Sequence, residues 1–195
     1  MKNYLGVAVT DAIRGRQAAR GSLNLYDTEA PGPDAIDPFE MEFIGARDSF
    51  YMATVNEDGW PYVQHRGGEA GFVRQIGPTT IGWVERNGNR QYLGTGNLLA
   101  NDKVSIIFMN YAERQRLKVL GRATVHADPS PELLRQLGAE DVRHDGAITV
   151  EIDATAWNCP KFIAPRYTAD HIEAAVGALS TRIAELEAEL AAATS

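Results

Sequence analysis

The sequence predicts a mainly β protein: a closed or nearly closed antiparallel barrel with short peripheral helices and a C-terminal amphipathic helix. Three observations predict it. Six or seven short apolar or β-branched runs recur between residues 50 and 152, with few helical patterns between them. Two of these runs, residues 50–55 and 60–64, flank Asn56-Glu57-Asp58-Gly59. Asp-Gly at such a junction is a strong hairpin signal, because glycine reaches positive φ without steric cost. Beyond Thr168 the pattern changes from alternation to a heptad repeat.

Residues 1–36 read as an N-terminal arm. A short helix over 8–19 is weakened by Gly15, and Glu29-Ala30-Pro31-Gly32-Pro33-Asp34 reads as a loop or an extended stretch. The arm fits a surface segment and a strap across a partner subunit equally well. Asp37-Pro38-Phe39-Glu40 is a helix start, with an N-cap acid, proline at the first helical position and an acid in the first turn. Phe39, Phe43 and Ile44 would share one face of that helix. After the first hairpin, residues 71–75 and 79–84 read as a second strand pair around Ile76-Gly77-Pro78, and Asn87-Gly88-Asn89-Arg90 as the next turn. A helix over 91–100 is weakened by Gly94 and Gly96. Residues 104–109 are read as one apolar strand buried on both faces. Residues 116–126 alternate as one long strand, 132–137 form a short helix, and 147–152 give the last strand of the body. In the tail, Thr168 can cap a helix whose Ile172, Val176, Leu179, Ile183, Leu186 and Leu190 alternate spacings of four and three, an a/d seam. That tail, 168–195, packs either on its own body or on a symmetry mate.

Composition narrows the function. The chain has 195 residues, 44% hydrophobic and 23% charged, enough to bury one substantial core. A net charge of −7 gives no general affinity for nucleic acid or anionic membrane, so an anionic ligand needs locally placed arginines. The single cysteine, Cys159, precludes an internal disulfide and fits a reducing cytoplasm. The apolar run at 4–9 is too short, and too soon followed by Asp11, Arg14 and Arg16, for a signal peptide. No later window is long and apolar enough to span a bilayer. The dinucleotide GxGxxG and triphosphate GxxxxGK[ST] loops are absent.

Four polar clusters stand at predicted strand ends and turns. The first is Gln64-His65-Arg66 before Gly67 and Gly68; strand alternation puts Gln64 and Arg66 on one face and His65 on the other. The second is Asn89-Arg90-Gln91 followed by Thr95-Gly96-Asn97, and the third is Arg114-Gln115-Arg116-Leu117-Lys118. The fourth is Trp157-Asn158-Cys159-Pro160-Lys161 with Arg166 beyond it. A donor and a cation beside two glycines suit a phosphate or a flat polar ring. His65, His126, His144 and His171 lack metal-ligand spacing, and Asp145, Glu151 and Asp153 form no carboxylate pair suited to hydrolysis. No metal site is expected.

The series SFYMATVNEDGWPYVQHRGG, GNRQYLGTGNL, YAERQRLKVLGRATV and WNCPKFI-x-x-R resembles the pyridoxamine 5′-phosphate oxidase-related flavoproteins of the FMN-binding split barrel, most closely their bacterial branch with a C-terminal Asn-Cys-Pro motif. The likeness spans about residues 38–167. It implies that residues 37–167 form a six-stranded antiparallel split barrel, dimerised so that FMN lies in each of two clefts between subunits. By resemblance, Gln64, His65 and Arg66 line the strand edge facing the flavin ring and phosphate. Asn89, Arg90, Gln91, Thr95 and Asn97 fall where the family supplies phosphate and ribityl contacts. Arg116 falls where the ring is contacted from the partner subunit, and Trp157, Asn158 and Arg166 match the segment closing over the ring. Cys-Pro-Lys-Phe-Ile replaces the Arg-Leu-His-Asp-Arg-type substrate segment of true pyridoxamine-phosphate oxidases, which argues against vitamin B6 as substrate.

The expectation is therefore a cytoplasmic, homodimeric FMN-dependent oxidoreductase acting on a small organic substrate, with His65 and Cys159 as candidate catalytic side chains. The alternative is a non-catalytic protein that stores or senses flavin, or binds haem or a deazaflavin. A third reading is a cofactor-free dimeric scaffold assembled through its C-terminal helix.

Overall fold

In the computed structural model, which describes residues 1–193, β1 (Ser49–Val55) and β2 (Pro61–Gly67) form the hairpin that Asp58-Gly59 predicts. Gly59 takes φ +84°, and the Asn56 side chain accepts a 2.7 Å hydrogen bond from the Trp60 amide across the turn. The second strand runs three residues further than its apolar pattern, through His65 and Arg66 to Gly67, because β1 supplies partners along the whole length.

Five more strands follow: β3 (Arg74–Gln75), β4 (Thr80–Val84), β5 (Lys103–Asn110), β6 (Gln115–His126) and β7 (Ala147–Trp157). They join one sheet in the order β2-β1-β5-β6-β7-β4-β3, and the registered pairs are antiparallel. The mainly β antiparallel fold with short helices and a C-terminal helix is the one predicted. The sheet has seven strands rather than six and is not closed, with β2 and β3 as its edges. Strand β3 has two residues only, because Ile76-Gly77-Pro78 turns the chain at once and the Ile76 amide bonds back to the Thr80 carbonyl at 2.9 Å.

The core lies on one face of this sheet. Phe50 packs edge-on against Trp83 at 4.9 Å and tilted against Phe108 at 5.1 Å, with Met52, Ile106, Val119 and Ile148 fully buried around them. One expectation is corrected here. Residues 104–109 are buried on one face only: Val104, Ile106 and Phe108 are inside, Ser105 is exposed, and Ile107 and Met109 are half-buried. Ser105 breaks the apolar run on the outer face, and the reading of double burial passed over that break.

Strand β7 carries a bulge. Leu120 lies opposite Ala154 and Gly121 opposite Ile152, leaving Asp153 as an extra residue. A side chain on Gly121 would meet the Glu151 carbonyl at 2.5 Å, so glycine lets the two strands meet there. The Asp153 carbonyl accepts the Lys2 amide at 2.6 Å.

The helical expectation for 8–19 resolves into α1 (Tyr4–Ala8) and α2 (Asp11–Ala19), separated by extended Val9 and Thr10, while Gly15 stays helical. Helix α3 (Pro38–Gly45) starts as predicted: the Asp37 side chain accepts the Phe39 amide at 2.8 Å and Pro38 stands first. Phe43 and Ile44 are buried, and Phe39 and Phe43 pack on Trp157 at 5.3 and 4.8 Å. Helices α4 (Leu93–Ala100) and α5 (Pro131–Gln136) follow, and the chain ends in α6 (Ala169–Ala193).

The chain divides into two compact units: residues Met1–Met109 with Arg116–Cys159, and Asn110–Gln115 with the chain from Pro160 onward. In the second unit the Arg166 guanidinium lies 4.7 Å over the Tyr111 ring, and the Thr168 hydroxyl accepts the His171 amide at 3.4 Å at the start of α6. The last two residues of the predicted 168–195 tail lie outside the described residues. Among the described residues, no helix is long and apolar enough to cross a membrane.

Candidate cofactor cleft

Tyr62, Gln64 and Arg66 alternate along β2 and so share one face, and the first turn of α4 lies against them. Together with the ends of β4 and β6 they enclose a cleft of about 340 Å³ in the first unit. Gly94 makes the close approach possible. A side chain there would meet the Gln64 amide oxygen at 2.9 Å and the Arg66 guanidinium at 3.5 Å.

The floor of the cleft is a buried charge. Arg66 is 7% exposed, and its Nη2 lies 3.0 Å from the Glu85 carboxylate. The two groups form an ion pair without an aligned hydrogen bond, and the Arg66 Nε and Nη2 have no hydrogen-bond partner. Glu85 is itself committed to the core, because its other oxygen accepts the Trp83 indole N–H at 2.7 Å. Burial lowers the Arg66 pKa, and the Glu85 charge pulls it back up. A buried guanidinium with free donors is costly unless a further acceptor arrives.

The wall is a strained loop. Arg90 and Tyr92 both take left-handed backbone, φ 59° and 51°, where a non-glycine residue costs roughly 1–2 kcal/mol. The strain is held by the Tyr92 hydroxyl, which donates to Asp145 at 2.7 Å, and by the Asn89 side chain, which accepts the Gln91 amide at 3.1 Å. This conformation starts α4 at the cleft. No side chain caps α4, and Leu93, Gly94 and Thr95 of its first turn line the cavity that Arg66 floors. A helix start leaves its first amides without intrahelical partners and carries the positive end of the dipole. Arg86 and Arg90 add positive charge at the rim, and Glu85 and Asp145 offset part of it. The arrangement suits a phosphate-sized anion.

The profile of the pyridoxamine 5′-phosphate oxidase family matches residues 36–156, well over half the chain. This chain belongs to that family. Among curated proteins none matches. Among solved structures, HupZ of Group A Streptococcus is similar at 14% identity, covering 68% of this chain and all of its own, with a TM-score of 0.50. A variant of HupZ gives 14% identity over 63% of this chain and 99% of its own, at 0.51. A putative pyridoxamine 5′-phosphate oxidase from Lactobacillus delbrueckii gives 18% identity over 64% and 95%, at 0.49.

Within this family member the predicted site residues fall into separate places. Gln64, Arg66, Asn89, Arg90, Gln91 and Thr95 line the cleft together. Asn97 does not: its amide donates to the buried Thr54 hydroxyl at 3.0 Å and ties α4 to β1. His65 points to the opposite face of β2, exposed, with its ring 5.4 Å from Tyr51. Arg116, Trp157 and Asn158 gather at the far end of the sheet. The Asn158 amide donates to the Arg116 carbonyl at 3.3 Å, and the Arg116 Nε and the Asn158 Oδ1 are both buried without a partner. Cys159 follows them, exposed. Arg166 belongs to the second unit, stacked on Tyr111.

Sequence reasoning missed Tyr62, Glu85, Tyr92 and Asp145. Tyr62 was within reach of the same alternation that paired Gln64 with Arg66. The other three come together only through strand pairing and the left-handed loop, for which no short-range signal exists.

Proposed function

We propose that this protein is an FMN-dependent oxidoreductase acting on a small organic substrate, with the flavin held at a homodimer interface. One observation carries the proposal: the buried Arg66, with two unpartnered nitrogens, stands beside the uncapped first turn of α4. Family membership supports flavin as the owner of the anion. Arg66, Arg90, the α4 amides and Thr95 would hold the phosphate, with Gln64 and Gln91 within reach of polar groups beyond it. FMN, when bound, supplies two-electron redox chemistry. The chain's own part is to neutralise the phosphate, fix the cofactor's orientation and keep water from the buried side.

The separation of the two residue groups supports a dimer. Arg116 stands nine positions before Val125, which lines the cleft; at about 3.3 Å per residue that is roughly 30 Å along β6. One mononucleotide does not reach so far, so the orphaned Arg116 and Asn158 are available to a flavin held by a second copy. His65 and Cys159 remain the catalytic candidates; both lie outside the cleft of their own chain. The same fact favours a second reading, a flavin store without turnover.

The deciding experiment is the absorption spectrum of protein purified without added cofactor, followed by titration with FMN and riboflavin. The proposal expects flavin bands, and FMN binding tighter than riboflavin by at least tenfold. A colourless protein that takes up neither compound would overturn it. Tight FMN with no turnover of any reductant would leave the store.

A further inference from the structure

Helix α6 presents an apolar seam of Ile172, Val176, Leu179, Ile183, Leu186 and Leu190, each between 47% and 65% exposed. A contiguous stripe of large aliphatic side chains this exposed marks an interaction surface. From Ile172 to Leu190 the stripe covers 18 residue steps, about 27 Å at 1.5 Å per step.

We infer that α6 pairs in parallel and in register with α6 of a second copy of this chain, as a two-stranded coiled coil. Two independent features select that occupant. The first is seam chemistry. The spacing makes Val176, Ile183 and Leu190 the a positions and Ile172, Leu179 and Leu186 the d positions. The two central layers of each kind are β-branched at a (Val176, Ile183) and leucine at d (Leu179, Leu186), the combination that favours two parallel strands over three or four. The second is charge. Arg182 is a g position and Glu187 the e position that follows it, so a parallel pair places Arg182 of each helix beside Glu187 of the other, twice. An antiparallel pair that keeps all six seam residues opposed sets Glu173 against Glu187 of the other helix and Arg182 against Arg182. Within its own helix Arg182 contacts Glu185 at 2.8 Å and Glu189 at 3.9 Å. These are exposed pairs, readily exchanged for the interhelical one.

The seam is short for a free coiled coil, so it draws on the local concentration that the homodimer of the preceding section provides, and it rests on that reading to this extent. The test separates the two. In a full-length Cys159→Ser background, Leu179→Cys is oxidised beside Thr181→Cys, which lies on the outer face. The expected result is a disulfide-linked dimer for Leu179→Cys only, since d faces d in a parallel pair. Adding Arg182→Glu lowers the yield severalfold, and adding Glu187→Arg to that chain restores it. Equal cross-linking of both cysteine variants overturns the inference. So does coupling of Leu179→Cys only to an Ile183→Cys chain, the antiparallel signature. Sedimentation of the unmodified protein reports the dimer itself: a dimer in which Leu179→Cys stays uncoupled sinks the helix pairing and leaves the homodimer standing. A monomer sinks both.

Discussion

Two arginine–carboxylate pairs in this molecule have the same 3.0 Å separation and opposite meanings. Arg122 and Asp102 sit at the surface, 51% and 48% exposed; one guanidinium nitrogen reaches both carboxylate oxygens, and Asp153 stands 3.7 Å away. Arg66 and Glu85 are 7% and 19% exposed, and Arg66 keeps two nitrogens unpartnered. The surface pair is finished and screened by water. The buried pair is unfinished, and burial makes each missing hydrogen bond expensive. Distance alone did not separate a decoration from a site; satisfaction did.

The sharpest way to break the comparison is Arg66→Met. Hydrogen bonds to a charged group are worth roughly 1.5–3 kcal/mol, so FMN affinity should fall about 10- to 100-fold in a fluorescence titration while riboflavin affinity stays unchanged. The variant should also lose stability, because Glu85 is left buried without its cation, a loss of up to about 3–5 kcal/mol for a fully buried pair. Adding Glu85→Met should recover part of the denaturant midpoint and none of the FMN affinity. Recovery of both would show that Arg66 serves the fold and not a ligand.

A third charged group sharpens the same contrast. Glu40 in α3 is buried with one oxygen unpartnered. Burial raises its pKa, against the opposing hydrogen bond from the Thr155 hydroxyl. The folded protein therefore holds this proton more tightly than the unfolded chain. The resulting stability is full below the ordinary carboxylate range and is lost as pH rises through the raised value. Glu40→Gln should match the parent's melting temperature in acid and exceed it increasingly toward neutral pH. A constant difference across that range would show that Glu40 is not titrating in the fold.

The smallest effect is expected at the surface pair. Arg122→Ala should cost no more than about 1 kcal/mol, less at high salt, and should leave FMN binding untouched.

How far the sequence could be read follows from the range of each signal. The Asp58-Gly59 hairpin, the Asp37 cap and the face shared by Gln64 and Arg66 depend on neighbours within a few residues, and all three are present as expected. The same alternation rule had already put His65 on the other face from Arg66, so its place outside the cleft was legible even while resemblance grouped the two. Glu85 and Asp145 were not legible as cleft residues. They arrive through the pairing of β4 with β7 and through two left-handed residues, Arg90 and Tyr92, that no propensity favours. The one-sided burial of residues 104–109 was only partly legible: Ser105 marked the outer face, while the half-burial of Ile107 and Met109 is decided by other parts of the chain.

The extra residue at Asp153 has a consequence for how this family member can change by insertion and deletion. Side chains alternate with a period of two, so one added residue reverses the phase of everything after it. Before the bulge Ile148, Val150 and Ile152 are buried opposite Val125, Ala123 and Gly121; after it Thr155, half-buried, lies opposite the buried Val119, and Trp157, 38% exposed, lies opposite the buried Leu117. That reversal lets Thr155 reach Glu40 and Trp157 meet Phe39 and Phe43. Removing Asp153 would keep every core side chain in the composition and turn Trp157 to the opposite side of the sheet. A reading frame that loses this one codon would break the packing of Trp157 on Phe39 and Phe43 without changing any of the three residues.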